Sequence, residues 1–195
     1  MKTYTYTETT EKTCLEIWHD YDAPSPREWD NIGYFITVDS RYSSPDNNQD
    51  MIDLVKATGQ DASSLQEHIE EIQESINTTG EEVIYITPVR KYEHGNVVYK
   101  RGTTHGFDHS NNGFYIVTDK TAEVLGTPPE LFDKMIDVEL ETYTNWANGQ
   151  TYGFTIHNEE GGLIESVGGF YDIEDIKESL PEEYQKENLT SYISQ

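Results

Sequence analysis

The chain has 195 residues, 34% of them hydrophobic, and a formal net charge of −24 at pH 7; this fits one domain with a packed core and excludes a wholly disordered chain. Its single cysteine, Cys14, excludes an internal disulfide framework and a zinc site built from several cysteines. No run of residues is apolar enough to span a bilayer or to form a signal peptide, so we expect a cytoplasmic protein.

The first quarter of the chain predicts short strands followed by a loop. Runs of apolar, β-branched and aromatic residues at 14–19 and 34–38 indicate two strands. Ser, Asn, Asp and Pro dominate 39–49 and indicate a loop. We therefore expect the sheet to begin in this part of the chain.

The segment 48–80 is expected to be an acidic helical insertion. A capping sequence at 61–64 precedes an apolar stripe of helical period, formed by Leu65, Ile69, Ile72 and Ile76. Residues 50–82 contain nine acidic residues and one basic residue, and four glutamates lie off the stripe: Glu67, Glu70, Glu71 and Glu74. These side chains form either a partner-binding strip or an ordinary solvated helix face.

The middle of the chain, residues 83–128, is almost neutral in charge. Short apolar runs predict strands at 83–87 and 113–118. The basic pairs Arg90-Lys91 and Lys100-Arg101 are too few for phosphate neutralisation in a chain of this charge, so we expect them to balance acidic neighbours rather than bind nucleic acid.

A polar loop in this region contains the candidate metal ligands His105, Asp108 and His109. Two imidazoles and a carboxylate would bind zinc or another divalent ion if His94 or His19 supplied a fourth donor. The alternative is a loop rich in Gly and Asn whose histidines face water, because the spacing lacks the helical regularity of specific zinc motifs.

The last third of the chain carries most of the remaining acidic residues. A helix at 130–147 is expected to bury one side and to turn Asp133, Asp137 and Glu141 outward. Residues 152–157 and 163–167 predict a β-hairpin. Two acidic helices are expected at 173–180 and 181–188, within a C-terminal region, 172–195, whose exposed carboxylates include Asp172, Glu174, Asp175, Glu178, Glu182 and Glu183.

These elements predict the α+β class: a mostly antiparallel sheet with acidic helices packed on one face or edge, in a single domain covering 1–195. The sequence contains no P-loop, dinucleotide-binding glycine pattern or nucleophile elbow. We therefore expect no cofactor, and a protein-binding role is favoured over catalysis.

Several spaced motifs resemble a group of small acidic proteins of tailed bacteriophages and mobile elements, most of them uncharacterised. Two positions depart from that pattern: Phe107 stands where the group has Trp, and Asp172 where it has Gly. The matching residues, in the order found in that group, are Trp29-Asp30-Asn31-Ile32-Gly33, Tyr92-Glu93-His94-Gly95, Asp108, Gly113-Phe114-Tyr115-Ile116-Val117, Glu139, Tyr143, Gly149-Gln150-Thr151-Tyr152-Gly153-Phe154 and Gly169-Phe170-Tyr171.

The resemblance implies a mobile-element origin, a setting rich in antirestriction and anti-CRISPR inhibitors of host defence. Duplex DNA carries one charge per about 1.7 Å of axis, so 24 charges correspond to roughly 40 Å of DNA. Rows of carboxylates on helices would therefore suit the positively charged DNA channel of a host nucleic-acid-processing protein. We expect an inhibitor with a DNA-like acidic face, acting in the cytoplasm of the host cell.

Two alternatives stay open. One is an interaction module or allosteric inhibitor that uses aromatic residues such as Trp29, Tyr42 or Trp146 as its main contacts. The other is a metal-dependent enzyme acting on nucleotides, centred on the histidine loop described above. A homodimer is the default expectation for the oligomeric state.

Overall fold

The computed structural model describes residues 2–5, 12–39, 42–182, 184–186 and 188–193. It divides the chain into two compact units, one formed by Met1–Ser25 with Asn145–Gln195 and the other by Pro26–Thr144. Within the described residues the strands are β1 (Lys2–Thr5), β2 (Lys12–His19), β3 (Tyr34–Thr37), β4 (Val83–His94), β5 (Asn96–Arg101), β6 (His109–Thr118), β7 (Tyr152–Asn158) and β8 (Leu163–Phe170). The α-helices are α1 (Gln49–Thr58), α2 (Leu65–Asn77), α3 (Asp119–Leu125), α4 (Phe132–Ala147) and α5 (Ile173–Ser179).

The first unit is built on an antiparallel sheet of order β1-β2-β7-β8. Apolar residues on one face of β2 and β7 pack with Ile176 of α5 and with the C-terminal segment. Gly153 is required where it stands, because a Cβ there would lie 2.3 Å from the Trp18 ring. The core consists of Leu15, Ile17, Phe154, Ile156, Ile176, Leu180, Tyr184, Leu189 and Tyr192.

The second unit is built on an antiparallel sheet of order β3-β6-β4-β5. Successive residues of β6 face opposite sides of this sheet. Phe114 and Ile116 join a core with α1 and α2, whereas Tyr115 and Val117 join a core with α3 and α4. Helices therefore cover both faces, and the hairpin β4–β5 turns at Gly95 with φ +82°.

The expected α+β class is confirmed, with two sheets in place of one. The strands expected at 83–87 and 113–118 extend to Val83–His94 and His109–Thr118, because polar residues continue the pairing. The helix expected at 181–188 was wrong for the described residues, which form turns. Tyr184 is buried and its hydroxyl forms a hydrogen bond with Thr13. Packing of this side chain in the core therefore sets the conformation of the segment, in place of a helical pattern.

Candidate functional site

Helix α2 is fixed by its own sequence, which sets the direction of its outer side chains. The Ser64 hydroxyl caps the N-terminus by accepting a hydrogen bond from the Glu67 backbone N–H at 3.1 Å. Ile72 and Ile76 are buried in the core shared with the sheet. Glu70 and Glu74, one helical turn apart, are exposed. The predicted outer position of these two carboxylates is thus present in the structure.

Helix α1 packs beside α2 on the same side of the sheet and adds two exposed carboxylates, Asp50 and Asp53. Among the described residues no Lys or Arg forms an ion pair with any of these four side chains. Two of them accept hydrogen bonds from neutral amides, Asp53 from Gln49 at 2.7 Å and Glu70 from Gln66 at 2.9 Å. We call Asp50, Asp53, Glu70 and Glu74 the acidic layer.

The two other predicted glutamates of α2 have different surroundings. Glu67 accepts hydrogen bonds from the Ser63 hydroxyl at 2.5 Å and from the Ser63 backbone N–H at 2.8 Å. These bonds lower the pKa of Glu67 below its ordinary value and tie the carboxylate to the start of the helix. Glu71 is half-buried. Neither side chain is presented outward as fully as Glu70 and Glu74.

The predicted carboxylates of α4 are largely neutralised. Arg101 of β5 holds Asp137 with two hydrogen bonds, Nε–Oδ1 at 2.7 Å and Nη2–Oδ2 at 2.8 Å, and contacts Asp133 through Nη1 at 2.7 Å. The hydrogen bond from Arg101 lowers the pKa of Asp137. Of the three predicted side chains, Glu141 alone is exposed and forms no ion pair among the described residues. Arg101, one member of the basic pair at 100–101, thus balances acidic neighbours.

The predicted C-terminal carboxylates lie in and around α5, where one caps the helix and another forms an ion pair. Asp172 caps the helix by accepting from the Glu174 N–H at 2.9 Å, and Glu174 pairs with Lys177 at 2.5 Å. Partial burial, followed by the charges of Asp172 and Glu178, raises the pKa of Asp175. Glu178 and Glu182 are exposed, and the predicted Glu183 lies outside the described residues.

The histidine loop brings together only part of the predicted metal set. His94 Nδ1 lies 3.2 Å from Asp108 Oδ2, with both side chains exposed. His109 packs its ring against Tyr92 at 4.8 Å, and His105 is exposed. In the part of the chain that the structure describes, no three His, Cys, Asp or Glu side chains are grouped to hold a metal ion. Catalysis at this loop therefore stays a prediction.

Arg27, which no sequence pattern indicated, is a highly connected polar group of the second unit. Its guanidinium donates to Asp46 twice at 2.8 Å, and to Glu139 and Asn31 at 2.9 Å. A further bond runs to the Gly33 carbonyl at 2.7 Å. All five of its N–H groups are therefore used within the protein.

Burial alone would lower the pKa of Arg27, but hydrogen bonding and charge from Asp46 outweigh it and raise that pKa above its ordinary value. The Tyr115 hydroxyl donates to Glu139, and burial raises the pKa of Tyr115 well above its ordinary value. Gly33 fits only as glycine, because a Cβ there would lie 2.3 Å from the Ile116 carbonyl oxygen. The spaced motifs of the sequence contain four of the residues at this site, Asn31, Gly33, Tyr115 and Glu139. Those motifs are the sequence feature by which the site could have been found.

A cavity of about 350 Å³ opens above this network. Trp29, half exposed at 50%, stands at it together with the exposed Asp30. The loop before α1 and the helix α3 supply the other side. We call this cavity the Trp29 pocket; its lining includes Trp29, Asp30, Asn31, Asn47, Thr121 and Val124.

The other two aromatic candidates contact neighbours within their own units. The Tyr42 hydroxyl donates to Glu93 at 2.6 Å, and the Lys91 ammonium lies 4.4 Å from the centre of the Tyr42 ring. The Trp146 indole is half-buried and donates to the Ala23 carbonyl at 3.0 Å. Trp29, the third aromatic residue named from the sequence, borders the pocket described above.

No family model matches this chain, and no curated protein or solved structure matches it either. Among the described helices, none combines the length and the apolar character that a membrane span requires.

Proposed function

We propose that this chain is a phage or mobile-element inhibitor of a host defence nuclease, of the antirestriction or anti-CRISPR type. It binds the DNA-binding surface of that nuclease in the host cytoplasm, without a cofactor. The observation that carries the proposal is the acidic layer, four exposed carboxylates on two packed helices that no cation pairs among the described residues.

α1 and α2 contain one basic residue, Lys56, which is exposed and forms no ion pair with the acidic layer among the described residues, and three further cations of the second unit are engaged elsewhere. Arg27 is used by Asp46 and Glu139, Lys91 is buried between Asp39 and Glu93, and Arg101 binds the carboxylates of α4. The negative charge of α1 and α2 is therefore left to act on a partner. Such an unbalanced field steers a positively charged surface toward it and raises the association rate at low salt.

The spacing of the layer is of the same order as that of a DNA strand. Glu70 and Glu74 are four residues apart, so α2 presents about one charge per 6 Å of its axis. A DNA strand presents about one phosphate per 3.4 Å of axis. Both helices are anchored in an apolar core, so the backbone that carries these carboxylates is fixed before binding and only their side chains have to be ordered.

The test is capture of partners from a bacterial lysate with tagged protein, elution in a salt gradient and identification by mass spectrometry. The layer variant Asp50→Asn, Asp53→Asn, Glu70→Gln and Glu74→Gln is compared with a control of equal charge, Glu16→Gln, Glu82→Gln, Glu130→Gln and Glu165→Gln, whose positions are also exposed. We expect a nucleic-acid-processing complex that elutes as salt rises. The layer variant should bind at least about tenfold more weakly, a loss of about 1.4 kcal/mol, and the control should keep its affinity.

Equal losses in the two variants would show that total charge matters and that the layer does not. Partners that resist high salt and have no nucleic-acid-binding surface would contradict the proposal altogether.

A further inference from the structure

The first unit carries a tryptophan that lies flat on its sheet, on the face opposite the apolar core. Leu15 and Ile17 of β2 point into that core, so Trp18 points to the other face. A Cβ on Gly153 would lie 2.3 Å from Cζ2, 2.5 Å from Cη2 and 2.7 Å from Cε2 of the indole. Three ring atoms at such similar distances place the face of the ring, and not its edge, over Gly153. We call this indole the Trp18 platform.

The outer side of the Trp18 platform is open. Its inner side lies over two glycines, Gly153 of β7 and Gly168 of β8, where a Cβ would be 3.1 Å from Cη2. Among the described residues no aromatic ring and no cation is stacked on Trp18, whose side chain is half-buried. The exposed surface of the indole is therefore on its outer side, available to a ligand.

Two hydroxyl groups follow one edge of the ring. Trp18 Nε1 donates to Thr155 Oγ1 at 3.1 Å, and Thr155 Oγ1 lies 3.3 Å from Ser166 Oγ. Because an indole nitrogen only donates, Thr155 accepts from it and can direct its own hydrogen toward Ser166. The Ser166 hydroxyl is exposed, so it can donate to a ligand and accept from it.

A carboxylate lies at the other end of the ring. The position of a Cβ on Gly168 would be 2.7 Å from Asp20 Oδ2, and the same point is close to Trp18 Cη2. Asp20 Oδ2 accepts a hydrogen bond from the Gly169 N–H at 2.9 Å, which fixes the carboxylate beside the ring. Asp20 Oδ1 forms no hydrogen bond with the described residues, so it remains an acceptor for a ligand.

This arrangement fits a ligand that has a flat C–H face and hydroxyl groups around its rim. The face of an indole is the negative part of its quadrupole, so weakly positive C–H hydrogens pack on it favourably. Hydroxyl groups donate short, strong hydrogen bonds to a carboxylate such as Asp20. A pyranose sugar has both features. A nucleotide would instead bring a phosphate close to Asp20 and to Glu16, which is exposed on the same face two residues before Trp18, and both carboxylates repel it.

We propose that the Trp18 platform binds a neutral pyranose sugar, with its C–H face on the indole and its hydroxyl groups on Asp20 and Ser166. This is a carbohydrate-binding function of the first unit. It goes beyond the proposed inhibition of a nuclease and uses no residue of the acidic layer.

The test is a titration of the full chain, followed by the indole N–H resonances of Trp18, Trp29 and Trp146 in ¹⁵N NMR spectra. The probes are methyl β-D-glucopyranoside, sorbitol, which has similar hydroxyl groups without a ring, and adenosine monophosphate. We expect the glycoside to shift the Trp18 resonance saturably, with a Kd of the order of 1 mM. Sorbitol should bind at least about tenfold more weakly because it offers no flat face, and the nucleotide should give no saturable shift of Trp18.

Two variants make the assignment specific. Ser166→Ala removes an exposed hydroxyl and should weaken glycoside binding at least about threefold, whereas Trp18→Leu should abolish it. Ser179→Ala is the matched control, because Ser179 is an exposed serine of α5, the helix that packs on the opposite face of the sheet. Urea denaturation shows which variants keep the fold, and Ser166→Ala decides the test if Trp18→Leu does not.

Four outcomes would overturn the proposal. They are the absence of a saturable Trp18 shift with the glycoside, equal affinities for the glycoside and sorbitol, tighter binding of the nucleotide, and an unchanged affinity in Ser166→Ala.

The titration contains no nuclease, so its failure is separate from that of the proposed function. The layer variant should bind the glycoside with unchanged affinity, and Trp18→Leu should still capture the salt-dependent partner from the lysate. Glycoside binding without such a partner would leave the Trp18 platform standing and remove the inhibitor.

Discussion

Arg27 connects parts of the second unit that are distant in sequence. Its guanidinium joins the loop at 31–33, the loop that contains Asp46, and Glu139 in α4. Taking one charge out of such a network leaves the opposite charges buried without a partner, which costs more than the pair itself contributes. The residue therefore acts on stability and on the shape of the Trp29 pocket together.

Replacing Arg27 by Met should destabilise the protein by about 3–5 kcal/mol, because Asp46 and Glu139 lose their buried cation. Urea denaturation followed by circular dichroism measures the change. Lys134→Met is the control, since Lys134 is an exposed cation of α4 and its loss should cost no more than about 0.5 kcal/mol. Similar midpoints for the two variants would contradict the role given to Arg27.

The charge of Asp175 should destabilise the folded protein, and this effect should depend on pH. Its pKa is raised in the folded protein by burial and by Asp172 and Glu178, so the folded state binds the proton more tightly than the unfolded chain. The carboxylate therefore costs stability once the pH rises above its unfolded pKa of about 3.9. Asp175→Asn should raise the Tm at pH 7 by about 1 °C or less, since solvent screens a partly exposed group.

That gain should disappear near pH 3, where Asp175 is protonated in both states. Glu182→Gln is the matched control, because Glu182 is exposed and does not contribute to the shift. A lower Tm for Asp175→Asn at pH 7 would show that the carboxylate is stabilising after all.

At the scale of elements, α2 holds two opposing contributions, a favourable cap and unfavourable repulsion. Ser64→Ala removes the side-chain acceptor for the Glu67 N–H and should cost about 1 kcal/mol. Glu74→Gln relieves the i,i+4 repulsion with Glu70 and should add about 0.2–0.5 kcal/mol. Urea denaturation of both variants and of the double variant measures each effect, and a stabilising Ser64→Ala would contradict the cap.

Local patterns predicted the elements whose side chains repeat regularly. The stripe of Ile69, Ile72 and Ile76 located α2, and the hairpin of β7 and β8 followed from its turn. Strand β5 was not predicted, because its apolar run at 97–99 is only three residues long and its pairing with β4 depends on the turn at Gly95. The residue types at 181–188 favour a helix, but the described residues of this segment form turns, with Tyr184 buried in the core.

The candidate site was predictable only in part, for the same reason. The outward direction of Glu70 and Glu74 is a property of one helix, so the sequence contained it. Arg27 acquires its role from Asp46 and Glu139, 19 and 112 residues away, and no local pattern encodes those distances. Pairing of Asp133 and Asp137 by Arg101 likewise depends on the tertiary fold.

The charge of the whole molecule predicts a response to salt. A net charge of −24 repels itself across the folded chain, and raising the NaCl concentration from 10 to 150 mM shortens the Debye length from about 30 to about 8 Å. The Tm should therefore rise by roughly 2–4 °C, the shift that about 1 kcal/mol produces in a chain of this size. The layer variant, with four charges fewer, should show a smaller rise in calorimetry, and a Tm that is independent of salt would contradict the prediction.

The pairing of β2 with β7 sets an order of events during synthesis. β7 begins 133 residues after β2 ends, and Pro26–Thr144 forms the second unit from a continuous stretch between them. At about 5–20 residues per second, the ribosome delivers β7 roughly 7–27 s after β2. Leu15 and Ile17 lack their β7 partners, Ile156 and Phe154, throughout that interval. The nascent first unit therefore offers a chaperone a binding segment while the second unit already folds.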